Sequence, residues 1–572
     1  MKLYSISKPF SAALCAVILL AISVAQAQST LLELRSTIQD AQRKNIAFFS
    51  VIGGTSHYNW VLSIGQELGQ RGHTFYFLSA DEDAKYGEPF TRVKTVPTGP
   101  GTDHKTIDTT ALEDPNFTFF QLMKPVLDST FKNFSKGKYF SNKIDLAICD
   151  HIAESCVEAA IASNLPFIVT ATADYTKGVY SIHETQCRWV VNRCCVETSA
   201  PYVNNDVMSM KNPTTENESI ATRFNNMFIL PFQGLYHLLP TMRDLIAQKK
   251  LLGIDAKLED PYKKWQHSLK LINNLYGFTA PRPMSPMVEM VGPIIPKKYK
   301  PLTPELQEFL DAHTRVAYIA FGQTSVPSTN NIRLLLTAVM NGIERGALDG
   351  FLWATVGATM DRFPSEIKTL SGKTYLMQDI FNQVYPNMRM EKWTPQTAVL
   401  LHPSTALFVS HGGLGSWYES MYAGKRMIMY PFYGDQPLNA NAIESNGLGA
   451  IMRPYLSPEQ AADLVCTVAN SQDIGRNVRR YQALVHLHSD HGIFRGANLV
   501  EEVLYTNKDG RLPHRETADK RMSYVKAHNI DLWCLLGLIA LLSTTAIGVV
   551  LIGMWKLIRK RGLVGQRKIK KN

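Results

Sequence analysis

Twelve residues from Phe408 to Glu419, FVSHGGLGSWYE, bring together a histidine, three glycines, a serine and a glutamate. An apolar run ends at His411, and Gly412, Gly413 and Gly415 then let the backbone turn sharply and leave room for a ligand. Two chemistries fit. Ser416-x-x-Glu419 has the pattern of a capping box, in which the hydroxyl and carboxylate only close a helix start. The same helix start also presents free N–H groups and a positive dipole end, a seat for a diphosphate. The neighbours favour a site. Upstream, EKWTPQ supplies Trp393, Pro395 and Gln396; downstream, YPFYGDQPLNANAI supplies Asp435, Gln436 and Asn439. An indole can stack on a base, a helix start can hold phosphates, and an Asp-Gln pair can hydrogen-bond sugar hydroxyls. Together they could grip one nucleotide sugar.

Such a stretch needs a sheet to hold it. From Lys44 onward short apolar runs alternate with amphipathic ones. NIAFFSVIGG reads as a buried strand, YNWVLSIGQELGQRG as a helix stopped at Gly72, TFYFLSA as the next strand, and KIDLAICD, ending at Asp150, as another. A proline-rich break runs from Pro281 to Pro304, after which RVAYIAFG, GFLWATV, TALFVS and RMIMYP restart the pattern. Repeated strand-helix-strand units imply parallel sheets covered on both faces. The expectation is an α/β chain with two doubly wound, Rossmann-like domains facing a cleft, where ligands bind beyond the carboxyl ends of the strands.

The net charge of +11 is carried by the ends. Residues 556–572 hold eight Lys and Arg and no acid, and Lys2 and Lys8 add two more cations. The body is close to neutral, which excludes a nucleic-acid-binding face. Residues 1–27 have the layout of a signal peptide, with a basic start, an apolar core and Ala25-Gln26-Ala27 at the cut. Residues 532–555 form an uncharged run of 24, about 36 Å as a helix, enough to cross a bilayer. Basic residues follow at once, which puts that side in the cytosol and the body in a lumen or outside. The final KIKKN resembles a dilysine retrieval signal of the endoplasmic reticulum; a stop-transfer cluster is the plainer reading. Sequons at Asn116, Asn133 and Asn217 agree with a luminal body. Six cysteines remain there, with disulfides permitted, the Cys187–Cys195 cluster included, and the connectivity open. No zinc pattern stands out among them.

W-x-P-Q, then H-x-G-x-x-S-x-x-E, then D-Q-x-x-N-A resembles the donor signature of the UDP-glycosyltransferases of glycosyltransferase family 1. SHYNWVLSIGQELGQRGHTFYFLS resembles that family's amino-terminal segment, SPMVEMVGPI its interdomain approach, and the span with its basic tail the membrane-bound, glucuronosyltransferase-like branch. The resemblance implies a GT-B-type fold with one carboxyl-terminal transmembrane helix. It implies that Trp393 stacks on uracil, Gln396 contacts the nucleoside, and His411 with Gly413, Gly415 and the Ser416 helix start binds diphosphate. Glu419 would take the ribose, and Asp435 and Gln436 the sugar. Many members have Asn where Gly415 stands, which bears on donor affinity and sugar choice.

Transfer to a hydroxyl needs a base, and histidine suits neutral pH. His57 follows the first strand and Asp150 ends another, both at the cleft edge, and the resemblance matches them to the family's His-Asp dyad. His73 reads as structural, and His151 as pointing to the far side of the strand end. The expected reaction is a single inverting displacement from a UDP-sugar, glucose first and glucuronic acid second, to a lipophilic hydroxyl acceptor, with no cofactor and no metal. The expected layout is a signal peptide over 1–27, an acceptor domain over 28–290, a linker over 291–304 and a donor domain over 305–505. A juxtamembrane segment over 506–530, a membrane helix over 531–555 and a cytosolic tail over 556–572 follow. Phe117–Phe140 and Ile220–Lys264 are aromatic and apolar enough to line a lipophilic pocket, to lie on the bilayer or to be core. A homo-oligomer is left open. A catalytically silent relative acting as a binding partner is the alternative function, opposed by the retained dyad and donor residues.

Overall fold

The computed structural model describes residues 43–50, 54–100, 107–110, 144–172, 214–225, 264–278, 284–323 and 325–569, with shorter pieces between 229 and 253 and at 281. The expected signal peptide, the sequons at Asn116 and Asn133, the Cys187–Cys195 cluster, the Phe117–Phe140 stretch and the last three residues lie outside them. Asn217 is described and exposed.

The first sheet is built from β1 (Asn45–Phe49), β2 (Thr74–Ser79), β3 (Val93–Pro97), β5 (Leu146–Asp150), β6 (Phe167–Ala171), β7 (Lys270–Ile272) and β8 (Val288–Met290). Its order is β3-β2-β1-β5-β6-β7-β8, and the paired neighbours run parallel. Strands β1 and β5 are apolar almost throughout because both faces are covered. Helix α1 (Thr55–Gln70) covers one face through Tyr58, Trp60, Leu62, Ile64 and Leu68. It ends before Gly72, whose φ of 97° suits glycine alone. Helix α2 (Glu154–Ala162) follows β5.

The second sheet uses β9 (Val316–Ala320), β11 (Gly350–Ala354), β14 (Met388–Glu391), β15 (Thr405–Ser410), β16 (Arg426–Met429) and β17 (Gly449–Ile451), in the order β14-β11-β9-β15-β16-β17. Its neighbours also pair in parallel. Helices α3 (Pro304–Asp311), α4 (Thr329–Glu344), α5 (Gln396–Leu401), α6 (Leu414–Ala423), α7 (Gln436–Ser445) and α8 (Pro458–Asn470) accompany it. Two apolar clusters, one on each face, make up its core. A short antiparallel pair, β12 (Glu366–Lys368) and β13 (Thr374–Leu376), stands apart.

Two devices join the halves. Strand β10 (Ser325–Val326) pairs in parallel with β4 (Ile107–Asp108). Thr109 Oγ1 also donates to the Val326 carbonyl at 2.8 Å. Helix α9 (Gln472–Thr506) starts against the second sheet through Val478 and Val485 and ends in the core of the first through Ala497, Leu499, Val500 and Val503. Its last turns, placed with the donor domain on sequence grounds, pack on the other one. Arg71 donates to Glu501 at 2.7 Å, and His73 lies 3.2 Å from the same carboxylate. His73 is therefore structural, as its sequence context suggests.

Helix α10 (Ile530–Ile569) projects from the body, and its apolar part, Ile530–Lys560, is long enough to cross a membrane. Its Leu, Ile and Val side chains from Leu532 to Ile558 are exposed. Beyond Trp555 the same helix runs on through the basic segment to Ile569.

Candidate active site

Strand β1 and helix α1 set His57 at the cleft. Gly54, with φ 126°, turns the chain into the helix, and His57 stands in its first turn. Asp150 is the last residue of β5, the strand beside β1. Adjacent parallel strands bring their carboxyl ends together, so residues 93 apart in sequence meet. His57 Nδ1 lies 2.8 Å from Asp150 Oδ2. Burial alone would lower the His57 pKa, but the Asp150 charge and hydrogen bond reverse the sign and raise it, with a smaller contribution from Asp435. For Asp150, burial pushes upward, yet the flanking imidazoles hold the carboxyl below its ordinary value. The carboxylate thus stays ionised beside a histidine whose protonated form it favours.

His151 departs from expectation. Strand alternation would send it to the far side of the sheet, but β5 ends at Asp150. Asp150 Oδ1 accepts the Ile152 N–H at 3.1 Å, turning the chain back. The His151 ring stacks on His57 with centroids 5.9 Å apart, and its Nδ1 lies 3.6 Å from Asp150 Oδ1. Burial lowers the His151 pKa despite Asp150. No metal-binding cluster was legible in the sequence, yet His57, Asp150 and His151 bring three donor atoms within 4.8 Å of one another. A disulfide, Cys149–Cys156, closes the loop around this turn. It pairs the residue before Asp150 with α2, a connectivity the sequence left open.

The second domain presents the glycine-rich stretch. β15 ends at Ser410, and α6 starts at Leu414 with Gly413 as its N-cap. Ser416 and Glu419 therefore lie inside the helix, and the expected capping box is not formed. Instead, Gln396 Nε2, at the start of α5, donates to Glu419 Oε2 at 2.7 Å and to Ser416 Oγ at 3.2 Å. Burial raises the Glu419 pKa against these hydrogen bonds. The free N–H groups of the first turn belong to Leu414, Gly415 and Ser416.

His411 is half-buried, the loss of solvent pushing its pKa down to about 4, and its buried Nδ1 has no hydrogen-bond partner. It is neutral at physiological pH and offers a hydrogen bond, not a positive charge. A Cβ at Gly413 would lie 2.5 Å from His411 Nε2, so only glycine admits the ring there. At Gly415 a Cβ would meet Ser56 Cβ of α1 at 3.9 Å, which is ordinary contact. The two helix starts thus face each other across the cleft, lining one concavity with Thr55, Asn59, Thr172 and Glu419.

Asp435 is the N-cap of α7, and its Oδ2 accepts from Asn439 Nδ2 at 2.8 Å. Burial raises its pKa, while His57 acts on it from the other domain in the opposite sense. Gln436 is buried, and its Oε1 accepts the N–H groups of Phe432 and Tyr433. Its carbonyl is thus committed to the loop, which leaves the amide donors for a ligand. Trp393 is half exposed, with Lys300 Nζ 5.1 Å from its ring centroid. Ser56 and Thr172 were not singled out by sequence, and His151 was expected to point away from the site. Ser56 and His151 each flank a residue that was singled out, and this adjacency was the one available signal.

This arrangement places a histidine-carboxylate pair opposite a glycine-rich helix start, across a cleft between two doubly wound domains. Solved glycosyltransferases share the fold. The structure titled as the glycotransferase of kitacinnamycin aligns with a TM-score of 0.54 at 16% identity, over 81% of this chain and 100% of that one. A UDP-glucose: anthocyanidin 3-O-glucosyltransferase solved with UDP gives 0.52 at 16% identity, over 82% and 100%. Among curated proteins, a UDP-glycosyltransferase of Talaromyces amestolkiae is 31% identical over 53% of this chain and 60% of its own length. The chain spans about 60% of the length of the fungal relatives it matches. The UDP-glucuronosyltransferase 2B9 of Macaca fascicularis is 23% identical over 88% of this chain and 92% of its own length. The family model described as UDP-glucoronosyl and UDP-glucosyl transferase matches residues 49–564, and the chain belongs to that family.

Proposed function

We propose that the protein transfers a hexosyl group from a UDP-sugar to a hydroxyl of a lipophilic acceptor, with inversion at the anomeric carbon. The observation that carries this reading is the 2.8 Å pairing of His57 Nδ1 with Asp150 Oδ2, opposite the start of α6. With Nδ1 held by the carboxylate, Nε2 is the lone pair left to receive the acceptor proton. The acceptor oxygen bonds to the anomeric carbon as the bond from that carbon to the β-phosphate oxygen breaks. The proton passes to His57 Nε2, and Asp150 stabilises the imidazolium. The electron pair leaves with UDP, whose new charge falls on the N–H groups of Leu414, Gly415 and Ser416.

In this reading of the donor site, Trp393 stacks on uracil, Gln396 and Glu419 meet the nucleoside, and His411 hydrogen-bonds the diphosphate. Asp435 and the Gln436 amide reach the sugar. UDP-glucose is the first expected donor and UDP-glucuronic acid the second. The chemistry written here asks for no metal or other cofactor. The exposed apolar helix α10 supports a single-pass membrane protein. Its basic end would lie in the cytosol and the two domains in the lumen of the endoplasmic reticulum, which favours acceptors that partition into lipid. The test is UDP release by detergent-solubilised protein with UDP-glucose, UDP-glucuronic acid, UDP-galactose and UDP-N-acetylglucosamine against hydrophobic alcohols and phenols. Acceptor-dependent release with one donor, absent in His57→Ala, supports the reading; release that survives in His57→Ala removes the base from it.

A further inference from the structure

We propose that His57, Asp150 and His151 bind a divalent transition cation of the zinc type, and that the bound cation silences the base. Two imidazoles and one carboxylate are a donor set suited to zinc, and three protein ligands leave a fourth position for water. Among the described residues, this is the group of His, Cys, Asp and Glu side chains whose donor atoms converge, all within 4.8 Å. Zinc–nitrogen and zinc–oxygen bonds of about 2.0–2.2 Å require tetrahedral ligand atoms about 3.3 Å apart. His151 Nδ1 stands 3.6 Å from Asp150 Oδ1, within a few tenths of an ångström of that spacing. His57 Nδ1, at 2.8 Å from Oδ2, holds the shorter separation of a hydrogen bond and has to open slightly.

A second observation points to a ligand. His151 Nδ1 is buried with no hydrogen-bond partner. A buried nitrogen in that state forfeits the hydrogen bond it had in water, and a cation would satisfy it. The rest of the residue is fixed, since its N–H donates to the Thr170 carbonyl at 2.9 Å and its ring packs on His57. The first sheet and the disulfide from Cys149 hold the turn. The carboxyl of Asp435 adds a further acidic group within electrostatic reach of His57.

The consequence follows from lone pairs. Neutral imidazole has one. Coordination through His57 Nε2 uses it directly. Coordination through Nδ1 sends the proton shared with Asp150 to Nε2, which then carries N–H and accepts nothing. In either case the acceptor hydroxyl loses its base; the bonds that change are the coordination bonds, the hydrogen bond to Asp150 and, in the second case, the N–H bond that passes from Nδ1 to Nε2.

The experiment is calorimetry of zinc chloride into chelator-washed, detergent-solubilised full chain, for wild type, His151→Phe, His151→Asn and His57→Ala, each checked for native circular dichroism. The expected result is one site in the wild type that weakens at least tenfold in all three variants. The zinc concentration that halves UDP release should rise at least tenfold in both His151 variants. The calorimetric arm needs no turnover, so it stands or falls apart from the proposed function on which the inhibition rests. Equal zinc affinity in wild type and the His151 variants, or no zinc uptake by the wild type, overturns the site. Zinc inhibition unchanged in both variants, with the site shown, overturns the silencing.

Discussion

Gln396 Nε2 sits 2.7 Å from Glu419 Oε2, joining the first turn of α5 to the second turn of α6. The contact takes Glu419 out of the role of a helix cap; Thr397 also hydrogen-bonds the carboxylate, and its remaining lone pairs can accept from a ribose hydroxyl. Glu419→Ala is expected to weaken UDP binding by about tenfold to a hundredfold, the scale of a lost hydrogen bond to a charged group. Acceptor affinity should hardly change. Calorimetry with UDP checks it, and an unaltered UDP affinity would reduce Glu419 to a packing residue.

The proposed base gives a kinetic prediction. His57→Ala should lower transfer by about 10²–10⁴-fold with the fold retained. The sign of the pH dependence follows from the raised His57 pKa: the free base is the active form, so kcat/KM should fall with acid through a value above 6.5. Asp150→Asn removes the charge that raises it, so the acid limb should move to lower pH as the plateau drops. A limb that stays in place would show that Asp150 does not set the His57 proton affinity.

Two neighbouring glycines should respond differently. Gly413→Ala drives a Cβ to 2.5 Å from His411 Nε2 and forces that ring away, at a cost on the order of 1–3 kcal/mol. Donor KM should rise. Gly415→Asn meets Ser56 Cβ only at 3.9 Å and lies in a helix, where asparagine is preferred by a few tenths of a kcal/mol. It should fold at least as well as the parent and alter donor preference. Thermal unfolding and donor KM for both proteins test the contrast; equal effects would refute the packing account.

The strap formed by α9 carries its own test. Glu501 accepts from Arg71 at 2.7 Å and lies 3.2 Å from His73 Nε2. Desolvation acts to raise the Glu501 pKa, but His73 and Arg71 hold it low. Glu501→Ala should cost about 1–3 kcal/mol, since buried donors lose their acceptor. Because the group's pKa is depressed on folding, its contribution is present above the ordinary glutamate pKa and fades as pH falls through the depressed value. The difference in thermal midpoint between wild type and variant should therefore shrink in acid.

Removal of residues 530–572 should release the chain from membranes while the two domains stay folded, because the α10 side chains are exposed to solvent in the body's frame. Carbonate extraction of membranes containing each form reads this directly.

The elements were legible from local residue pattern alone. Short apolar runs such as LAICD and TALFVS suit strands buried on both faces, and the glycines of FVSHGG permit a sharp turn, because these are local constraints of burial and backbone freedom. An uncharged run of 24 residues likewise announces its helix. The tertiary structure decided which side chains meet. Strand order puts β5 beside β1 and so Asp150 beside His57, and the turn after β5 brings His151 onto the same carboxylate instead of away from it. The return of α9 to the first sheet, the neutrality of His411 and the pairing of Gln396 with Glu419 are of the same kind. Each depends on groups distant in the chain, on burial and on direction, and the spacing of residue types along a chain carries none of these.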